Sequence, residues 1–305
     1  MISAHKILLY NETDYPITAD IFLTDRCNNN CEYCNYVRYE KRNGAYISKE
    51  EFGEYFEILK KWGIKGLILT GGGEPTTNPD FEEICKILDD DGFSYGINTN
   101  FNIYFRANPR YLKVSLDGWD ENSYKRIRGV NKYQEVINNI RRYKCEQGGK
   151  VGIQQLSTSV EGVYRFYEAH KGLNVDYMVY RPVESKGGEY YDEKQTKVAS
   201  EIVRAVNNIR RIDNRVVLNY KFNMINEKWQ GCEARLAQIC VLPNGNIPIC
   251  CNRPKDVVGN IRDDDIREKL KQVKVNFEGC DIPCRMTGAN KAIREIKAIK
   301  DKEFI

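Results

Sequence analysis

The order of apolar periodicities constrains this chain more than any other feature. Over the first ~220 residues, short apolar runs of strand length alternate with longer stretches of helical period, which argues for repeated βα units around a parallel sheet. Strands are predicted over 17–24, 67–70, 94–99, 111–116, 151–156 and 176–180, and helices over 48–62, 81–89, 133–146, 160–170 and 194–211. Ser48 and Glu51 form a capping box, in which an N-cap hydroxyl and an N3 carboxylate satisfy orphan backbone donors reciprocally. A closed eight-fold barrel typically takes about 250 residues, so six units in about 210 predict an α/β fold with a partial, TIM-like (βα)6 barrel. Functional residues are then expected at the carboxyl ends of its strands. From residue 216 the alternation fails, and 231–251 reads as two strands around the turn Pro243-Asn244-Gly245. The expected division is a barrel over 1–215 and a small β/α module over 216–305. The stretch 185–191, Ser-Lys-Gly-Gly-Glu-Tyr-Tyr, is the candidate flexible loop.

Any metal chemistry must come from cysteine. The 305 residues hold 11 cysteines and two histidines, His5 and His170, too few and too far apart for a His-rich zinc hydrolase or a Ser-His-Asp site. With 47 Lys+Arg against 43 Asp+Glu the net charge is +4, and the basic doublets are scattered among acids, so nucleic-acid binding is unsupported. No run of ~18 apolar residues or signal-peptide core is present, so no membrane segment is expected and the expected compartment is the cytoplasm. In that reducing setting thiols act as ligands, catalytic groups or small core residues rather than as disulfides. Cys27, Cys31 and Cys34 stand together after the first strand, whereas Cys232, Cys240, Cys250, Cys251, Cys280 and Cys284 crowd the last quarter of the chain. Two separate thiol sites are implied.

The segment Cys27-Asn-Asn-Asn-Cys31-Glu-Tyr33-Cys34 converges three thiols from one loop. A three-thiolate zinc knuckle is the simpler alternative, although structural zinc usually draws ligand pairs from two places. Three cysteines can instead hold three irons of a cubane and leave the fourth open. The pattern, with Tyr33 as its aromatic, resembles the C-x3-C-x-aromatic-C signature of the radical S-adenosylmethionine (SAM) superfamily. The resemblance extends along the chain. Gly72-Gly73-Glu74-Pro75 resembles the superfamily's GGEP element, which binds the methionine amino group through its backbone, and the additional Gly71 departs from it. Glycine permits that close approach, so a bulky residue at position 73 is expected to weaken SAM binding while both clusters remain. Thr99 and Asn100, and Ser115 with Asp117, resemble ribose-contacting positions. Arg128 resembles the arginine that approaches the SAM carboxylate; its simpler reading is a solvated arginine at a helix end. The resemblance implies a [4Fe–4S] cluster on Cys27, Cys31 and Cys34, an electron donor of flavodoxin or ferredoxin type, and reductive cleavage of SAM to a 5′-deoxyadenosyl radical that abstracts a substrate hydrogen.

The tail resembles the cluster-binding extensions called Twitch and SPASM. Cys232 and Cys250, with Gly245 between them, and the pair Cys280 and Cys284 would ligate one auxiliary [4Fe–4S] cluster; a structural zinc is the alternative. Cys240, in an apolar strand, reads as a core residue. Adjacent strand residues point to opposite faces, so if Cys250 faces a cluster, Cys251 is expected to face away, toward the barrel. There it would resemble the tail cysteine with which radical SAM epimerases return a hydrogen atom; the alternatives are packing or cluster ligation. An alcohol dehydrogenase and a peptide-modifying enzyme are the rival subclasses, and a non-catalytic iron–sulfur or zinc-binding regulator is the rival of another class. The substrate is a small molecule or a peptide. About 16 residues before the first strand are too few for a winged-helix leader-binding domain, which disfavours the peptide. Gln154, Gln155, Tyr180, Arg181 and Glu184 are pocket candidates by position, and Cys85 and Cys145 are expected to be bystanders.

Overall fold

The computed structural model describes residues 16–34, 36, 43–186, 188–225, 232, 234–275 and 280–298. His5 and Gly187 lie outside the described residues. The six predicted strands form, as β1 (Thr18–Phe22), β2 (Gly66–Thr70), β3 (Tyr95–Thr99), β4 (Tyr111–Ser115), β5 (Val151–Leu156) and β6 (Tyr177–Arg181). The intervening helices are α1 (Lys49–Lys61), α2 (Phe81–Asp91), α3 (Glu121–Arg128), α4 (Tyr133–Glu146), α5 (Val160–His170) and α6 (Glu193–Arg210). The short α3, too brief for a periodicity argument, was not predicted. Both halves of the capping box at Ser48 and Glu51 are present, and α1 buries Phe52, Tyr55, Phe56 and Leu59 against the sheet. Within α1 a Cβ on Gly53 would meet no neighbour. Gly53→Ala should therefore stabilise the protein by roughly 0.5–1 kcal/mol through helix propensity and lower unfolded-chain entropy, readable as a rise in the urea midpoint.

The sheet is larger than six strands. Its order is β8-β6-β5-β4-β3-β2-β1-β9, every pairing parallel, where β8 is Val216–Leu218 and β9 is Gln238–Val241. The two tail strands are the opposite edges of the sheet, so it is an open, partial barrel. The chain after residue 216 thus completes both edges before forming anything of its own. The two strands flanking Pro243-Asn244-Gly245 do not pair with each other: β9 joins β1, while β10 (Asn246–Pro248) pairs antiparallel with β11 (Val257–Asn260). Nor is 185–191 simply a loop. It begins with β7 (Ser185–Lys186), held antiparallel to β12 (Asp281–Ile282) of the tail. The tail ends in α7 (Ile266–Gln272) and α8 (Thr287–Ala298), where Met286, Ala289 and Ile293 pack with Ala234 and the thiols of Cys232 and Cys284. No described helix is long and apolar enough to cross a membrane.

Strand alternation sorts two environments. One face of β2, β4 and β6 packs on the helices; the other carries Thr70, Lys113, Ser115 and Arg181 into the lumen. Tyr111 and Tyr177 fill the lower lumen, where only glycine fits opposite them: a Cβ on Gly96 or Gly152 would enter those rings. His170 belongs to the helical layer, bonded to Phe166 O at 2.8 Å and Tyr133 Oη at 3.0 Å, and burial pushes its pKa down to about 4, which keeps it a neutral core residue.

Candidate functional site

A cavity of about 380 Å³ opens at the carboxyl ends of the strands. Its lining includes Cys27, Cys31, Tyr33 and Cys34 from the loop after β1, Gly71 to Glu74 after β2, Asn98 to Asn100 at the end of β3, Ser115 on β4, Arg128 at the end of α3, Gln154 on β5, Arg181 and Glu184 at the end of β6, and Cys251 from the tail. Residues spread over 225 positions thus share one space.

The cysteine loop is locked from three sides. Asn100 Nδ2 donates to Asn28 Oδ1 and Asn102 Nδ2 to Asn29 Oδ1, each at 2.6 Å. The Asn30 and Glu32 amides donate to the carbonyls of Arg128 and Ile127 at 3.1 and 3.0 Å, tying the loop to the end of α3. Gly129, with φ 73°, terminates that helix in the left-handed region and comes so close to Asn30 that a Cβ would strike the Asn30 backbone. The glycine loop supplies the third side. Gly73 N donates to Thr24 O at 3.0 Å and Glu74 N to Arg26 O at 2.7 Å. A Cβ on Gly73 would lie 2.6 Å from the carbonyl carbons of Asp25 and Arg26. This position therefore needs glycine because the cysteine loop packs on it. Gly72 faces the Tyr36 ring in the same way.

Glu74 is buried and knits the strand ends together. It accepts from Thr99 Oγ1 at 2.5 Å, the Asn100 amide at 2.6 Å and Thr76 Oγ1 at 2.9 Å. Burial raises its pKa and these donors oppose the rise. Pro75 opens a single 3-10 turn (Pro75–Thr77) and is buried outside the lining. Asp117 is also outside it: Oδ2 accepts from Arg128 Nη1 at 3.0 Å and Oδ1 from the Leu156 amide at 2.6 Å. With both oxygens engaged, Asp117 serves to orient Arg128. Arg128 is no solvated helix-end residue; its side chain is 12% exposed and stands beside Cys27 and Cys31, with Nε lacking a partner among the described residues.

The tail thiols divide by what they do with hydrogen bonds. Cys250 has Cys232, Cys280 and Cys284 as charge neighbours. Each of these four sulfurs accepts an N–H: Cys232 from Asn290 Nδ2 at 3.3 Å, Cys284 from the Met286 amide at 3.4 Å, Cys250 from the Asn252 backbone and Cys280 from the Arg253 side chain. In the first loop Cys27 Sγ likewise accepts from the Asn29 amide at 3.4 Å. Cys251 instead donates, to Asn252 Oδ1 at 3.2 Å, and lies against Phe22, Cys240 and Leu242 at the edge of the main cavity. Cys240 is buried, and Cys85 is buried on α2. Among the described residues no three His, Cys, Asp or Glu side chains converge as a single shared metal ion requires. A cubane sets each thiolate on a different iron, so its ligands stand farther apart.

Several lining residues were not anticipated. Asp20, Lys113, Lys221 and Arg285 project into the cavity. Asp20 accepts from Arg285 and, at 2.8 Å, from Gln238 Nε2 of β9, which fastens the tail to β1. Glu184 accepts from Lys221 at 2.6 Å and Arg181 at 3.1 Å; burial raises its pKa, but Lys221 and Arg181 outweigh burial and hold it below its ordinary value. The available signal was a charged residue inside an otherwise apolar strand, Asp20 in Thr-Ala-Asp-Ile-Phe and Lys113 in Tyr-Leu-Lys-Val-Ser, which alternation places in the lumen. Of the position-based candidates, Gln154, Arg181 and Glu184 line the cavity. Gln155 faces α5, donating to Gly162 O at 2.8 Å, and Tyr180 packs on Phe166.

Residues 21–153 match the Radical SAM superfamily. The probable GTP 3′,8-cyclase of Pyrococcus horikoshii is 31% identical over 144 residues, 44% of this chain and 46% of that protein. The GTP 3′,8-cyclase of Listeria monocytogenes is 26% identical over 196 residues, 57% of this chain and 56% of that protein. The match spans about half the length of these curated relatives. Among solved structures, Streptococcus suis SuiB bound to S-adenosylmethionine superimposes with a TM-score of 0.65 at 17% identity, over 88% of this chain and 68% of SuiB. Native anSMEcpe with bound AdoMet gives 0.65 at 16% identity, over 94% and 87%. These structures share the fold. Residues 21–153 are thus similar to the Radical SAM superfamily, whose cofactors are SAM and a [4Fe–4S] cluster, and the cavity has the residues to take them.

Proposed function

We propose that this chain is a radical SAM epimerase in which Cys251 returns a hydrogen atom to the substrate, and that Cys232, Cys250, Cys280 and Cys284 hold an auxiliary [4Fe–4S] cluster. One observation carries the reading. Of the two adjacent tail thiols, Cys250 accepts an N–H among three other cysteines, whereas Cys251 donates its own hydrogen and lines the cavity of Cys27, Cys31 and Cys34.

When bound, SAM and the first cluster would, on receiving one electron from a donor of flavodoxin or ferredoxin type, supply a 5′-deoxyadenosyl radical able to remove a substrate hydrogen. The chain's residues position the other events. Cys27, Cys31 and Cys34 would take the first cluster, Arg128 beside them would offer its guanidinium to an anionic group of SAM, and Thr99, Asn100 and Ser115 border the space for the nucleoside. Strand ends closed by Glu74 hold these groups rigid, which is how an enzyme places a carbon near a short-lived radical. The Cys251 S–H bond then breaks as a C–H bond forms on the opposite face of the substrate carbon. The sulfur radical left behind takes one electron and one proton, the electron coming from a donor of flavodoxin or ferredoxin type.

In D2O the thiol exchanges with solvent, so the intact enzyme should place one deuterium at the inverted carbon. Cys251→Ala should keep both clusters and still cleave SAM, yet lose epimerised product to the limit of detection, because the substrate radical then has no hydrogen atom to take. Full turnover by that variant, or a product two hydrogens lighter without deuterium, would replace the epimerase with a dehydrogenase. The names of the relatives favour a second reading, cyclisation of a nucleotide or modification of a peptide. SuiB has been solved with its precursor peptide SuiA, and its structure covers 97% of this chain at 16% identity. A cyclised product of unchanged mass would decide for cyclisation.

A further inference from the structure

Four cations face the tail side of the lumen: Lys113 on β4, Arg181 on β6, Lys221 in the turn after β8, and Arg285 before α8. Two carboxylates face them, Asp20 and Glu184, and both are already engaged. Glu184 takes Lys221 and Arg181, and Asp20 takes Arg285. Two positive charges therefore remain unbalanced. Lys113 has no hydrogen bond or ion pair among the described residues, and Arg181 Nε and Arg285 Nε are buried donors without partners. A cation in a low-dielectric lumen whose neighbouring carboxylates already serve other cations is costly, and unsatisfied buried donors add to the cost. Arg285 and Asp20 are also the charged neighbours of Cys251, which sets this wall beside the thiol rather than beside the cysteine loop.

We propose that Lys113, flanked by the guanidinium groups of Arg181 and Arg285, seats an anionic group of the substrate, a carboxylate or a phosphate. The inference rests on the cavity being a substrate site as read above. Binding supplies the missing negative charge, and the group so held fixes the distance from the substrate carbon to Cys251. A compact anion suits a point charge flanked by two planar guanidinium donors.

Malonate and inorganic phosphate are the probes, titrated calorimetrically into reconstituted protein saturated with SAM and without reductant. At least one should bind saturably. Lys113→Met should weaken it by ~10-fold or more, as expected for removing one partner of a desolvated charge pair, and Lys113→Arg should recover most of the affinity. Preference for phosphate identifies a phosphate ester and preference for malonate a carboxylate. Burial, with Arg181, Lys221 and Arg285 against a single opposing Asp20, pushes the Lys113 pKa down to about 8. Malonate does not change charge in that range, so its affinity should fall as pH rises through that value and the ammonium is lost. Absence of saturable binding in the SAM-saturated protein, or equal affinity in Lys113→Met, would overturn the proposal. Because no turnover is involved, failure of the epimerase assay leaves this result standing, and failure here leaves the role of Cys251 intact.

Discussion

Gly73→Val is expected to lose the iron of the cysteine loop while keeping that of the tail, and with it all reductive SAM cleavage. The side chain would enter space occupied by the backbone of Asp25 and Arg26, the two residues that lead into Cys27. Backbone cannot swing aside as the end of a flexible side chain does. Overpacking of this kind typically costs ~1–3 kcal/mol in strain. Here the strain falls on the Thr24 and Arg26 carbonyls that receive the Gly73 and Glu74 amides. This differs from the expectation drawn from the glycine motif alone, in which the substitution blocks only SAM. The measurement is iron content and 5′-deoxyadenosine yield after anaerobic reconstitution. A variant with full iron and weakened SAM binding would return Gly73 to the simpler role of admitting the methionine group.

The second large effect concerns the loop itself. Replacing Cys27, Cys31 and Cys34 together by alanine should abolish 5′-deoxyadenosine formation to the limit of detection. Intact protein should hold about eight irons per chain and the triple variant about four, from cubane stoichiometry. The fold should survive, since the loop is also fastened by Asn28, Asn29 and Asn30, whose bonds to Asn100, Asn102 and Arg128 involve no cysteine sulfur. Retained SAM cleavage would refute the first-cluster assignment. Stoichiometric zinc with about four irons in the intact protein would refute the auxiliary cluster.

What the sequence determined by itself is what depends on neighbours along the chain. Strand and helix periods are local, so β1 to β6 and their five longer helices were legible to within a few residues, as was the capping box at Ser48. Cysteine spacing is local too, and three thiols within one loop pointed to a cubane before any fold was known. The tertiary structure decided what depends on partners far apart in sequence. Val216–Leu218 is too short to carry a period, and Gln238–Val241 looks like half of a hairpin until its register with β1 is known; Asp20 and Gln238 meet across 218 positions. Motif residues also changed their meaning in space. Asp117 and Glu74 have polar side chains suited to a ligand, yet their oxygens are taken by Arg128, Thr99 and backbone amides, because a buried carboxylate must be satisfied by whatever donors the fold brings to it. Alternation along a strand suggested that Cys250 and Cys251 face opposite ways, but β10 ends at Pro248 and both cysteines lie in the turn beyond it, where alternation does not apply. Only the packing of the tail against Phe22, Asp20 and the lumen cations decided that Cys251 is the one that reaches the cavity, since where a turn residue points is set by the surface it docks against and not by its own sequence.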